Sequence, residues 1–133
     1  MPVSSRPLFL FFSILWMALI YFLSSRSGVD IEPVFPGHDK LMHAFAFGVL
    51  AVCFLGVMDP RPSGYRWQQV GIAVTLAALY GLTDEFHQSF VPLRNPDALD
   101  VMADVAGAFT GTILFRYFTR RVRASNGNRS SAG

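Results

Sequence analysis

Apolar runs of about twenty residues recur four times in this chain, and that is the length a helix needs to cross about 30 Å of hydrocarbon at 1.5 Å per residue. They occupy residues 7–24, 40–58, 69–91 and 98–118. A hydrophobic content of 52% and a mean hydropathy of +0.38 lie beyond the usual soluble range and agree with that pattern. The breaks between runs have local causes. Asp59-Pro60-Arg61-Pro62-Ser63-Gly64 forbids helix continuation after the second run. Pro92 pushes Val91 out of the helical region at the end of the third, and Asp97 stands where an N-cap would open the fourth. The first run resembles a signal peptide in length, but Leu23-Ser24-Ser25-Arg26 lacks a small-x-small cleavage pattern, so it is read as a retained span. The expected fold is all-α, a polytopic membrane protein of four transmembrane helices forming one domain over residues 1–123. A disordered tail of Ser, Asn, Gly and Arg is expected over 124–133.

Charge sets the orientation, because Lys and Arg are retained on the cytoplasmic side. Arg6, Arg61, Arg66, Arg116, Arg120, Arg121, Arg123 and Arg129 fall on one side of the spans, and only Arg26, Lys40 and Arg94 on the other. Both termini are therefore expected in the cytoplasm. Of the nine acidic residues Asp59 alone shares the basic side. The arginines flank apolar runs and form no broad basic face, which argues against a nucleic-acid partner. The single cysteine, Cys53, lies inside a span and has no disulfide partner.

This topology brings the start of the second helix, the end of the third and the start of the fourth to one membrane face. Asp39, His43 and Phe47 recur every four residues, so a carboxylate and an imidazole share a stripe. Asp84 and Gln88, Glu85 and Gln88, and Tyr80 beneath Asp84 make a similar stripe on the third. On the fourth, Asp100 and Asp104 continue into Gly107 and Gly111. Ionised carboxylates in a bilayer are costly unless protonated, paired, wetted or bound to a cation, so a buried polar site is implied. Plainer readings stand beside this one. Asp97 and Asp100 fit helix capping, the glycine pair fits close helix packing, Tyr80 fits packing with a bonded hydroxyl, and Asp30, Glu32 and His38 fit a solvated loop.

Two blocks resemble the VanZ-like family of bacterial membrane proteins, named for a determinant of teicoplanin resistance. The first is Asp39-Lys40-Leu41-Met42-His43-Ala44-Phe45-Ala46-Phe47. The second is Tyr80-Gly81-Leu82-Thr83-Asp84-Glu85-Phe86-His87-Gln88-Ser89-Phe90-Val91-Pro92-Leu93-Arg94, followed by Asp100, Asp104, Gly107 and Gly111. Leu93 stands where the family often has Gly, and Asn95-Pro96-Asp97 where it has small hydroxyl residues. The resemblance implies a multi-pass protein of the bacterial cytoplasmic (inner) membrane, linked to glycopeptide tolerance.

Three activities follow from such a pocket. In an enzyme acting on a lipid or lipid-linked envelope molecule, His43 would be the acid or base, held by Asp39, with Glu85 and Gln88 completing the catalytic set. Lys40, Tyr80, Asp84, His87, Arg94, Asp100 and Asp104 would bind the substrate, Arg94 clamping a phosphate or carboxylate. A metal-assisted variant would use His43, Asp39, Glu85 and His87. The sequence has no Cys cluster or His-x-x-x-His spacing to support it, so no metal or other cofactor is expected. The alternatives are a binder without turnover and a proton-coupled transporter relaying through Asp84, Glu85 and His87. The expected partners are the bilayer and the lipid-linked molecule, with homo-oligomerisation left open.

Overall fold

A computed structural model describes residues 5–26, 35–58, 60–61 and 63–130. Four helices account for most of them: α1 (Arg6–Ser24), α2 (His38–Val57), α3 (Trp67–Gln88) and α4 (Ala98–Ser130). Their starts are written locally. Pro7 sits in the first turn of α1, where a missing N–H costs nothing. Gly37 enters α2 at φ +86°, a left-handed turn that a side chain would oppose. The Arg66 N–H donates to Gln69 Oε1 at 2.8 Å at the head of α3. Asp97 Oδ1 accepts the Leu99 N–H at 2.9 Å, the capping role its position suggests.

Two ends differ from the sequence boundaries. Helix α3 stops at Gln88, short of Val91. The Phe90 and Val91 amides turn back to the carbonyls of His87 and Gln88 at 3.0 Å each, and Leu93 adopts φ +67°. Helix α4 continues past Phe118 and past Arg123, into the stretch read as tail. Asp30, Glu32 and Asp59 lie outside the described residues.

Contacts between side chains and neighbouring backbones fix the directions of the helices. Arg6 Nε donates to Val57 O at 2.9 Å and Trp16 Nε1 to Ala46 O at 2.8 Å, so α1 and α2 are antiparallel. Tyr80 OH donates to Met17 O at 2.7 Å, while Gln88 approaches Ser24, so α1 and α3 run together. His43 meets Asp104 and Gly48 meets Gly111, so α2 and α4 run together. The chain goes up, down, up, down. The α2–α4 pair is the tightest: a Cβ on Gly107 would collide with the Ala44 carbonyl, and one on Gly111 would come within 2.9 Å of the Gly48 carbonyl.

The interior is small and apolar away from one end. Ala51, Ala77 and Ala108 pack at its centre, with Leu55, Tyr65, Val70 and Ala73 toward one end and Ile20, Phe47 and Leu50 toward the other. Ser13 and Thr112 are buried but donate to Phe9 O and Ala108 O on their own helices. Outside, Phe11, Leu41, Leu79 and Phe109 are each more than half exposed. Such a surface suits hydrocarbon and not water. Arg6–Ser24, His38–Val57 and Ala98–Asn126 are long and apolar enough to span a bilayer. The third helix has the length, but Gln68 and Gln69 at one end and Asp84, Glu85 and Gln88 at the other shorten its apolar middle. This is a membrane protein built of several apolar helices.

Candidate functional site

The up-down order sends every described carboxylate to one end of the bundle, where α2 and α4 begin and α3 ends. Lys40, in the first turn of α2, reaches across to the α4 cap. Its Nζ lies 2.8 Å from Asp39 Oδ2, 2.7 Å from Asp97 Oδ2 and 2.7 Å from Asp100 Oδ1. One turn deeper, His43 Nδ1 lies 3.0 Å from Asp104 Oδ1, and the ring stacks on Phe47 with a 6° interplanar angle. The expectation that Asp39 holds His43 is not what the geometry places there. Asp39 is drawn to Lys40 at the exposed rim, and Asp104 from α4 backs the imidazole instead. Asp104 can approach because Gly81 on α3 has no Cβ; one built there would stand 2.5 Å from Asp104 Oδ2.

The third helix contributes a second layer. Glu85 Oε2 accepts the Asp97 N–H at 2.9 Å, tying the end of α3 to the start of α4. Gln88 Nε2 donates to Asp84 Oδ2 at 2.9 Å and to Ser24 Oγ at 3.4 Å. Asp39, His43, Asp84, Gln88 and Arg94 line a cavity of about 350 Å³ together with the apolar Ile20, Leu23, Met42, Ala46 and Phe47. Arg94 is anchored at its edge by long contacts of 3.4 Å to the carbonyls of Arg26 and Leu23.

Other expected residues fall elsewhere. Tyr80 is occupied by its bond to Met17, the packing role weighed for it. His87 turns to the opposite flank, with Nε2 2.9 Å from Ser25 Oγ and the ring against Tyr21 at 4.7 Å. Lys40, Glu85, Asp100 and Asp104 lie behind the cavity and do not line it.

Burial makes this cluster costly. Asp84, Glu85, Asp100 and Asp104 are each less than a tenth exposed, Asp104 at 1%. An ionised carboxylate at mid-bilayer costs about 2.5–3.5 kcal/mol on the lenient insertion scale, and less toward the headgroups. Hydrogen bonds offset only part of that. Among the described residues Glu85 Oε1 and Asp104 Oδ2 have no hydrogen-bond partner, and Asp100 Oδ1 touches Lys40 ionically without hydrogen-bond geometry. His43, Glu85 and Asp100 each bring a ligand-type atom within 4.8 Å of the others.

The VanZ/LLP1 family profile matches residues 9–119, which takes in every residue of this cluster. The chain belongs to the VanZ/LLP1 family. Across 88 residues, 65% of its length, this VanZ/LLP1 chain is 35% identical to an uncharacterized protein of Schizosaccharomyces pombe. It spans about half of that relative, 52% of whose length is matched. No solved structure matches.

Sequence reasoning about this VanZ/LLP1 protein missed Ser24 and Ser25, which meet Gln88 and His87. The only signal was two hydroxyls at the end of an otherwise apolar run. Capping is the plainer reading of Asp97 from sequence, yet it also pairs with Lys40 and bonds Glu85. Its neighbours come from two other helices, and spacing along one helix cannot reveal them.

Proposed function

We propose that this VanZ/LLP1 protein crosses the membrane four times with both termini cytoplasmic, and that its cavity takes the polar head of a lipid or lipid-linked envelope molecule from the outer leaflet. The His43 cluster then works on that head by acid/base chemistry. The observation that carries the reading is the mixed lining of the cavity. Aliphatic and aromatic side chains of α1 and α2 stand there together with carboxylate, imidazole, amide and guanidinium groups. A molecule with an apolar chain and a charged head matches both kinds of lining.

Topology supports the outward assignment. The described arginines of the other end, Arg6, Arg61, Arg66, Arg116, Arg120, Arg121 and Arg123, gather opposite the cavity, as retained cytoplasmic charge would. Arg94 at the cavity edge suits a phosphate or carboxylate, because its planar fork matches two oxygens at once. His43, oriented through Nδ1 by Asp104, keeps Nε2 for proton exchange, the arrangement by which a carboxylate fixes an imidazole tautomer. Tolerance of glycopeptide antibiotics, implied by the family, would follow from an altered envelope lipid. A transmembrane proton relay finds less support, since Leu50, Ala51, Ala73, Ala77 and Ala108 leave no polar path across the middle.

Unbiased lipid analysis of membranes carrying the wild-type protein, the Glu85→Gln protein or neither tests this reading. A lipid species that changes only with the wild type is expected. Identical profiles in all three, with saturable lipid binding to the purified protein, would replace turnover by binding alone.

A further inference from the structure

We propose that His43, Glu85 and Asp100 form a binding site for one divalent transition-metal ion of the zinc or manganese type. The inference deepens the reading above, resting on the same cluster as the working centre and naming its cofactor.

Three helices each supply one donor, and the three ligand atoms lie within 4.8 Å of one another. Donors bound tetrahedrally at 2.0–2.2 Å stand about 3.3–3.6 Å apart, so side-chain rotations that draw the three atoms inward by about an ångström close the set. An independent observation points to a missing partner. Glu85 is only 6% exposed and its Oε1 has no hydrogen-bond partner among the described residues, while Oε2 is held by the Asp97 N–H. That bond fixes the carboxylate and leaves the other oxygen for an ion. Asp100, 8% exposed, gives Oδ1 to the Lys40 ammonium at 2.7 Å and turns Oδ2 toward His43 Nε2.

The histidine is prepared for a ligand role. Asp104 takes Nδ1 at 3.0 Å, leaving Nε2 as the free ring nitrogen, 3.9 Å from Asp100 Oδ2 and too far for a hydrogen bond. A carboxylate behind a ligating histidine is the usual way to fix its tautomer and raise its basicity. The charge balance agrees. Glu85, Asp84, Asp100 and Asp104 are buried together, and Lys40 already serves Asp39 and Asp97 as well as Asp100.

The imidazole favours zinc over calcium or magnesium, and the two carboxylates suit manganese as well. Three protein ligands leave a coordination position open, as in catalytic zinc sites, where a bound water loses its proton near neutrality. With an ion bound, His43 would hold it through Nε2, and the ion-bound water would take over the proton exchange assigned above to that nitrogen.

The test is metal binding by the full chain in lipid nanodiscs after chelator treatment, read by loss of the free Mn²⁺ resonance and by Zn²⁺ competition. One ion per chain is expected, with a nitrogen coupling from a single histidine in the pulsed electron-spin spectrum of the unmodified protein. Glu85→Gln and Asp100→Asn should each weaken binding at least about tenfold, and Asp104→Asn about 10- to 100-fold as a positioning residue. His87→Gln should leave it unchanged. Binding that survives both ligand variants, or a bound spectrum with no nitrogen coupling, overturns the site, and the spectrum needs no variant to fold. Lipid turnover that persists after complete metal removal would refute the ion and spare the enzyme reading. Stoichiometric metal with no lipid change would do the reverse.

Discussion

At the scale of single residues, the chemistry depends on which carboxylate meets which cation. The Lys40 ammonium beside Asp97 holds the Asp97 carboxyl below the usual carboxylate range, helped by the Leu99 N–H that it caps. A lowered carboxylate contributes stability above its unfolded value and loses it as pH falls through the lowered one. The melting-temperature gap between the wild type and Asp97→Asn, which keeps a capping oxygen, should therefore be fully present at neutral pH. It should close as the solution is acidified below the normal carboxylate range, and a pH-independent gap would refute the ion-pair assignment. Gly81→Ala provides a second check, since its methyl group would enter the space of Asp104 Oδ2. It should disturb the His43–Asp104 contact without removing any ionisable group, seen as a shifted His43 proton resonance. At this scale the sequence revealed the residue types but not their pairing. Asp39 and His43 are one turn apart on α2, yet Asp104, 61 positions along the chain, backs the ring.

Helices, taken as elements, were legible where the backbone itself decides. Prolines, Gly37 and the Asp97 cap mark their starts, and an apolar run with no breaker has no better option in lipid than to bond internally. Ends were less legible, because α3 gives way to turns before Val91 and α4 runs on past Arg123. The α2–α4 crossing carries the sharpest test. Alanine outranks glycine in a helix by about 1 kcal/mol, but at position 107 its methyl meets the Ala44 backbone carbonyl, which cannot rotate away. Gly107→Ala should therefore destabilise the bundle by about 1–3 kcal/mol, measured by denaturant titration in micelles. Gly71→Ala, with open space around it, should be neutral or stabilising.

For the whole molecule, orientation is the property that gives the cavity its meaning. In a Cys53→Ala background, Arg26→Cys should react with an impermeant thiol reagent on intact cells, and Ser63→Cys should react only after permeabilisation. Equal labelling would remove the outward assignment. The sequence alone determined a helical membrane protein with acid gathered at one end of its spans and base at the other. Those properties follow from length, breakers and charge, which act locally or along the membrane normal. Only the tertiary structure decided that Asp104 and not Asp39 supports His43, that Tyr80 and His87 are engaged with α1 and its C-cap Ser25, and that one buried oxygen of Glu85 has no hydrogen-bond partner among the described residues. Those facts depend on how the helices rotate and cross, set by the packing of Ala44, Gly48, Gly81, Gly107 and Gly111 against neighbours distant in sequence.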